Sequence, residues 1–285
     1  MRLSEAAAET LEGALPNLLV IGAMKCGTTS VHEYLDRHPD IGMSDPKEVN
    51  FFSGENSGRS LDWYMGLFDP EKRIRGESSQ NYSKGHHPLY GGAPARMAEL
   101  VPDAKLIYLV RDPIERYRSH LVETFLGEPD HDVKWNWEND HYIKTGLYHY
   151  QLGFFLEHFP LEQILVVDLE DLKTRRLDTM NAIFRFLGLP AVTDAGLFEF
   201  VSNTSDETVV PWRMQRNLAY RAANRLAPRL TDRVLRRPII ANTLFAAGKK
   251  KRLSADERAA LAARFKPDAD ELRKLLGRDF ANWSV

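Results

Sequence analysis

Apolar and polar positions divide the chain into two regimes. Residues 18 to 24, LLVIGAM, form an uninterrupted apolar run, and runs of the same kind return in KLIYLVRDP at 105 to 113 and QILVVDLEDL at 163 to 172. Short runs without polar alternation suit strands buried on both faces of a parallel sheet. A weaker strand-to-loop pattern lies in RIRGESSQNY at 73 to 82. Helical spacing follows the first run: Val31, Tyr34 and Leu35 recur in TTSVHEYLDRHP, and Pro39 ends that segment. Strands alternating with helices predict an α/β fold with a central parallel sheet flanked by helices.

Beyond about residue 205 the strand pattern stops and arginine-rich helical patterns take over. They end in LSADERAALAARFKPDADELRKLLGRDF, where Ser254 predicts an N-cap and Glu257 completes a capping box. The expected organisation is a single domain over 1–285, with a tail at 1–16, an α/β core over 17–190 and a mainly helical region over 191–285. Neither an internal repeat nor a low-complexity linker interrupts it.

With 285 residues and 43% hydrophobic content the chain can bury a sizeable core. Its net charge of -2 argues against a surface built throughout for nucleic acid, and no nucleic-acid partner is expected. Cys26 is the single cysteine, which excludes an intrachain disulfide and a cysteine-rich zinc site. The opening MRLSEAAAETLEGALPN carries acidic residues where a secretory signal has a basic start and an apolar run. No stretch approaches the roughly 20 apolar residues of a membrane span. A soluble, cytoplasmic protein is the expectation.

Candidate chemistry concentrates in IGAMKCGTTS at 21 to 30, between the first strand and the first helix. Gly22 and Gly27 keep the spacing of a phosphate-binding loop, but Thr28 fills the place that lysine holds in G-x-x-x-x-G-K-[ST], and the lysine is Lys25. Backbone amides and the positive end of a helix dipole favour an anion there, and Thr28, Thr29 and Ser30 add hydroxyl donors. A lysine inside the loop lies beside that anion instead of along a polyphosphate tail. That suits a transferred group attached directly to the first phosphate.

This pattern resembles the 5′-phosphosulfate loop of sulfotransferases that use 3′-phosphoadenosine 5′-phosphosulfate (PAPS). The resemblance implies a P-loop-like three-layer fold and a nucleotide held by Lys25, Cys26, Gly27, Thr28, Thr29 and Ser30. LIYLVRDPIERYRSHL at 106 to 121 is similar to the family's 3′-phosphate motif, which implies that Arg111 and Ser119 hold the 3′-phosphate. The residue types fit, since arginine makes bidentate contacts to phosphate and serine adds a directional donor. HPDIGMSDPKEVNFFS looks like a segment of heparan-sulfate-type and many bacterial sulfotransferases and implies Glu48 as general base. Lys25 is then the group that stabilises charge on the bridging oxygen as 3′-phosphoadenosine 5′-phosphate (PAP) departs. No metal is expected. The implied acceptor is a hydroxyl, less readily an amine, of a carbohydrate, small molecule or lipid.

The chain departs from the family pattern at Asn50, where many relatives carry histidine, at Ser78, where lysine is frequent, and at Gln80, where proline is usual. In AAGKKKRLS, Lys250, Lys251 and Arg252 stand where some relatives have a lysine-glycine-arginine loop; they either cover the 3′-phosphate or form a solvated basic run. Two other readings stay open on the residues alone. A P-loop kinase or nucleotide triphosphatase would use Asp168 at the end of ILVVD to hold magnesium. The basic, partly amphipathic stretch before residue 253 suits contact with an anionic membrane surface or nucleic acid. His86, His87 and His149 lack the spacing of a zinc site, His32 reads as a packed or capping histidine, and Phe51 and Phe52 as core or pocket wall.

Overall fold

A computed structural model describes residues 15–126, 133–199, 225 and 253–285, with the main chain alone over 122–126 and 133. Its strands are β1 (Leu18–Gly22), β2 (Ile41–Met43), β3 (Ile74–Ser78), β4 (Lys105–Val110) and β5 (Ile164–Asp168). They pair in parallel in the order β2-β3-β1-β4-β5. All five residues of the central strand β1 are buried, so neither face meets water and its sequence needs no polar alternation. The three apolar runs each contain one of these strands, and the weaker pattern at 73 to 82 divides into β3 and a 3₁₀ turn over Gln80–Ser83. The edge strand β2 was not expected; three residues are too few to establish a period.

Around the sheet lie α1 (Thr28–Leu35), α2 (Leu61–Met65), α3 (Ala93–Leu100), α4 (Pro113–Leu126), α5 (Val133–Glu138), α6 (His141–Lys144), α7 (Tyr148–Leu156), α8 (Leu169–Thr174), α9 (Arg176–Phe186) and α10 (Ala255–Leu276). From β1 the chain crosses toward β2 and β3, whereas from β4 it crosses the other way to β5. Loops leaving the carboxyl ends of β1 and β4 therefore part, and a crevice opens where they do. This switch point is where the two candidate phosphate segments, after β1 and after β4, emerge.

The predicted capping box at the start of α10 is present: Ser254 Oγ accepts from Glu257 N at 3.1 Å and Glu257 Oε2 accepts from Ser254 N at 2.8 Å. From α10, Ala269 and Leu272 enter the main core, while Phe265 packs with Ile114 and Ile143. Asp268 accepts the amides of His149 and Tyr150 at 3.0 and 2.8 Å and so caps α7 from another helix. The last residues strap the carboxyl edge of the sheet, with Trp283 Nε1 donating to Asp168 Oδ2 at 3.2 Å and Ser284 N to Asp112 Oδ2 at 2.6 Å. Among the described residues no helix is long and apolar enough to cross a membrane. Lys250, Lys251, Arg252 and nearly all of the basic stretch before them lie outside the described residues.

Candidate active site

The phosphate loop is built around two glycines that no other residue could replace without strain. Gly22 has φ +138°, and a Cβ there would meet Ser83 Oγ at 2.0 Å; Gly27 has φ +90°, and a Cβ would meet Leu169 Cδ1 at 2.7 Å. Between them the chain turns back on itself, with Ala23 N donating to Leu109 O at 2.8 Å and Cys26 N to Ala23 O at 3.1 Å. Lys25 sits at the apex with φ 70°. The first bond of α1 runs from Val31 N to Gly27 O at 3.1 Å, so the amides of Thr28 and Thr29 precede the helical ladder at its positive end. Cys26 points inward instead: it is buried, its Sγ lies 3.5 Å from Tyr148 Oη, and burial raises its thiol pKa.

Arg111 leaves the end of β4 and reaches across the crevice. Its Nη1 donates to Lys25 O at 3.1 Å, and its own amide donates to Tyr148 Oη at 3.4 Å. Asp112 starts α4 by accepting from Ile114 N and Glu115 N at 2.8 and 3.0 Å, as an N-cap does. Ser119 follows on α4, half-buried. Arg111 and Lys25, 86 residues apart in sequence, thus share one rim.

Glu48 lies beyond the end of β3, with φ 61°. Its amide donates to Ser78 O at 2.9 Å, Lys47 Nζ donates to its Oε1, and Gln80 N donates to its Oε2 at 2.9 Å. The carboxylate is thereby paired and still part-exposed, with 28% of its side chain open. Gln80 occupies the place where proline is usual in the resembled family, and proline has no N–H. The sequence departure therefore supplies a donor to the candidate base.

His32 is not merely packed. From α1 its Nδ1 lies 2.9 Å from Ser78 Oγ, joining the phosphate-loop helix to the end of β3. Burial, reinforced by the charge of Lys47, lowers its pKa to about 4, so the ring is neutral at pH 7. Ser78, which replaces the frequent lysine, is thus partnered by a neutral imidazole. Asn50 turns inward, with Nδ2 donating to Glu48 O at 3.2 Å and Oδ1 accepting from Asn81 Nδ2 at 3.3 Å. Phe51 stacks on Tyr64 with centroids 3.9 Å apart, and Phe52 is buried, so this pair belongs to the wall and core.

Asp168, which the kinase reading needs for magnesium, has other duties. It is 2% exposed, accepts from Glu170 N at 3.1 Å as the N-cap of α8, and accepts from Trp283. His86 Nε2 lies 2.9 Å from His141 Nδ1, and His86 Nδ1 lies 2.7 Å from Gln151 Nε2. Among the described residues, no group of three or more His, Cys, Asp or Glu side chains is placed to hold a metal ion.

A family profile described as the sulfotransferase domain matches residues 15–209, a span that takes in the phosphate loop, Glu48 and the Arg111 motif. The chain belongs to the sulfotransferase family. It is 29% identical over 196 residues to the bifunctional heparan sulfate N-deacetylase/N-sulfotransferase 1 of Caenorhabditis elegans, covering 62% of this chain and 22% of that protein. Against the human enzyme 3 of the same name it is 31% identical over 200 residues, covering 61% of this chain and 22% of that one. The chain thus spans less than a quarter of the length of these curated relatives. The crystal structure of a sulfotransferase from Alicyclobacillus acidocaldarius superposes with a TM-score of 0.65 at 25% identity, covering 95% of this chain and 99% of that one. The P-loop NTPase-like fold and the sulfotransferase class of enzyme follow together.

Proposed function

We propose that this sulfotransferase takes the sulfuryl group of PAPS to a hydroxyl, less readily an amine, of a carbohydrate, small-molecule or lipid acceptor. The observation that supports the reading is the bond from Arg111 to Lys25 O, which joins the loop after β1 to the segment after β4. The glycine cradle, the start of α1 and Lys25 suit a phosphosulfate, and Arg111 with Ser119 suits a second, separate phosphate. A nucleoside triphosphate offers no such second group.

When bound, PAPS supplies an activated sulfuryl group on a phosphate leaving group. Lys25 brings a fixed positive charge to the loop where negative charge grows, and the amides of Thr28 and Thr29 add preorganised dipoles. Glu48 takes the acceptor's proton: Lys47 and Gln80 N hold its carboxylate in one orientation, and its part-exposed face is open to an acceptor. His32, neutral beside Ser78, offers the acceptor a hydrogen-bonding partner with no added charge. The curated relatives' heparan sulfate N-sulfotransferase names make an amino sugar a sensible first acceptor to try.

Isothermal calorimetry of PAP against the wild type and Arg111→Ala, with ATP and magnesium as comparator, tests the reading. Tight PAP binding that depends on Arg111 and is not matched by ATP is expected. Preference for ATP, or indifference to Arg111, overturns it.

A further inference from the structure

The loop that carries Glu48 is pinned from beneath by one buried carboxylate. Asn50 N donates to Ser79 Oγ at 3.0 Å, and Ser79 Oγ donates to Glu77 Oε2 at 3.1 Å. Phe51 N and Phe52 N donate to Tyr82 Oη at 2.9 and 3.4 Å, and Tyr82 Oη donates to Glu77 Oε1 at 2.9 Å. Tyr64 Oη adds a bond of 2.6 Å to the same Oε1. Each hydroxyl has a single hydrogen, which goes to Glu77, and its lone pairs are left to receive the loop amides. Three consecutive backbone donors of the loop therefore end on one side chain through two relays.

Glu77 is fully buried at the end of β3, and the partners it has among the described residues are hydroxyls, not a cation. Burying a carboxylate without an opposite charge is costly, and an amide would satisfy one side of this site only. A glutamine could accept from the two tyrosines but would turn an NH₂ toward Ser79, or the reverse. The loop above it is strained, since Glu48 and Asn50 both hold positive φ, at 61° and 51°. Left-handed conformations in such residues persist where surrounding bonds over-determine them.

We propose that Glu77 is a positioning residue that, through the hydroxyls of Ser79 and Tyr82, fixes the main chain of residues 48–52 and thereby the direction in which Glu48 presents its carboxylate. The proposal rests on the reading of Glu48 as the base. Ser79 also lies between Ser78, which faces His32, and Gln80, whose amide meets Glu48, so one strand end sets the backbone beneath the whole acceptor side.

The test compares Glu77→Gln and Tyr82→Phe with the wild type by hydrogen exchange and mass spectrometry, following peptides over 47–53 and over β4. Tyr82→Phe removes one hydroxyl with little change of volume and guards against a Glu77 variant that folds poorly. Exchange over 47–53 should accelerate about tenfold in each variant while β4 is unchanged, the effect of losing one or two loop hydrogen bonds. PAP affinity by calorimetry should stay at the wild-type value. Sulfuryl transfer from PAPS to N-unsubstituted glucosamine oligosaccharides should fall in kcat more than in KM. Unchanged exchange over 47–53 in both variants, or an increase that β4 shares equally, overturns the proposal. Should Glu48→Gln keep the full transfer rate while Glu77→Gln still loosens the loop, the assignment of the base falls and the hold of Glu77 on the loop stands.

Discussion

Arg111 donates through Nη1 to the main-chain oxygen of Lys25 at 3.1 Å, so the guanidinium on one phosphate motif braces the apex of the other. Lys25 holds a left-handed backbone that ordinary residues avoid, and this bond meets the carbonyl which that conformation turns toward the crevice. Arg111 thus braces the loop, and under the proposed function its remaining donors meet a second anion. Arg111→Lys should fail at both, because a flexible point charge cannot replace a planar fork. PAP affinity is expected to fall by about tenfold or more, the scale of a lost charge-assisted bond, when titrated calorimetrically at fixed ionic strength.

Gln80 opens its 3₁₀ turn at the first position, a place that tolerates proline, and its amide is a donor to Glu48. Gln80→Pro therefore removes that hydrogen bond while leaving the turn able to form. Without that donor one carboxylate oxygen of Glu48 loses a bond that fixes its direction. Sulfuryl transfer by Gln80→Pro should fall about fivefold in kcat, the scale of one lost hydrogen bond, with PAP affinity unchanged. A wild-type kcat in the variant would mean that the Gln80 amide does not position the group that takes the acceptor's proton.

Glu77 and His32 pull stability in opposite directions as pH changes. Burial raises the Glu77 pKa from 4.5 to about 7, despite the hydroxyl bonds that lower it, so between those values the folded chain binds more protons than the unfolded one. Its contribution is greatest below pH 4.5 and is lost as pH rises toward 7. His32, depressed from 6.5 to about 4, does the reverse: its contribution is full above pH 6.5 and is lost as pH falls toward 4. Melting temperatures measured from pH 4.5 to 7.5 should rise more steeply with pH in Glu77→Gln than in the wild type, and less steeply in His32→Gln.

Ser254 and Glu257 satisfy two donors at the start of α10 reciprocally. Ser254→Ala should cost about 1 kcal/mol of stability. Since α10 contributes Leu272 to the main core and Asp268 to the cap of α7, the loss should appear as a lower melting temperature of the whole domain, not as local fraying. Calorimetric melting curves of the variant and wild type check this.

Much of this protein is written locally in its sequence. Leu18 to Ile21 read as a strand because a short apolar run that stops at glycine is brief for a helix and suits burial on both faces of a sheet, and the spacing of Gly22 and Gly27 marks a turn. The capping box at Ser254 is equally local, complete within four residues. Those features are legible in the order of the chain and sufficed to indicate the fold; that a side chain would clash at Gly22 or Gly27 is decided by Ser83 and Leu169, which only folding brings there. Tertiary structure decided what surrounds Glu48. The donor from Gln80, the contact of His32 with Ser78 and the three amides resting on Glu77 span 32, 46 and up to 31 residues, and the parallel pairing of β1 with β3 brings their elements together. Ser78 and Gln80 looked in the sequence like losses from a familiar pattern. In the folded chain each has a partner, because a residue's hydrogen bonds are settled by the distance to other elements and not by its own type.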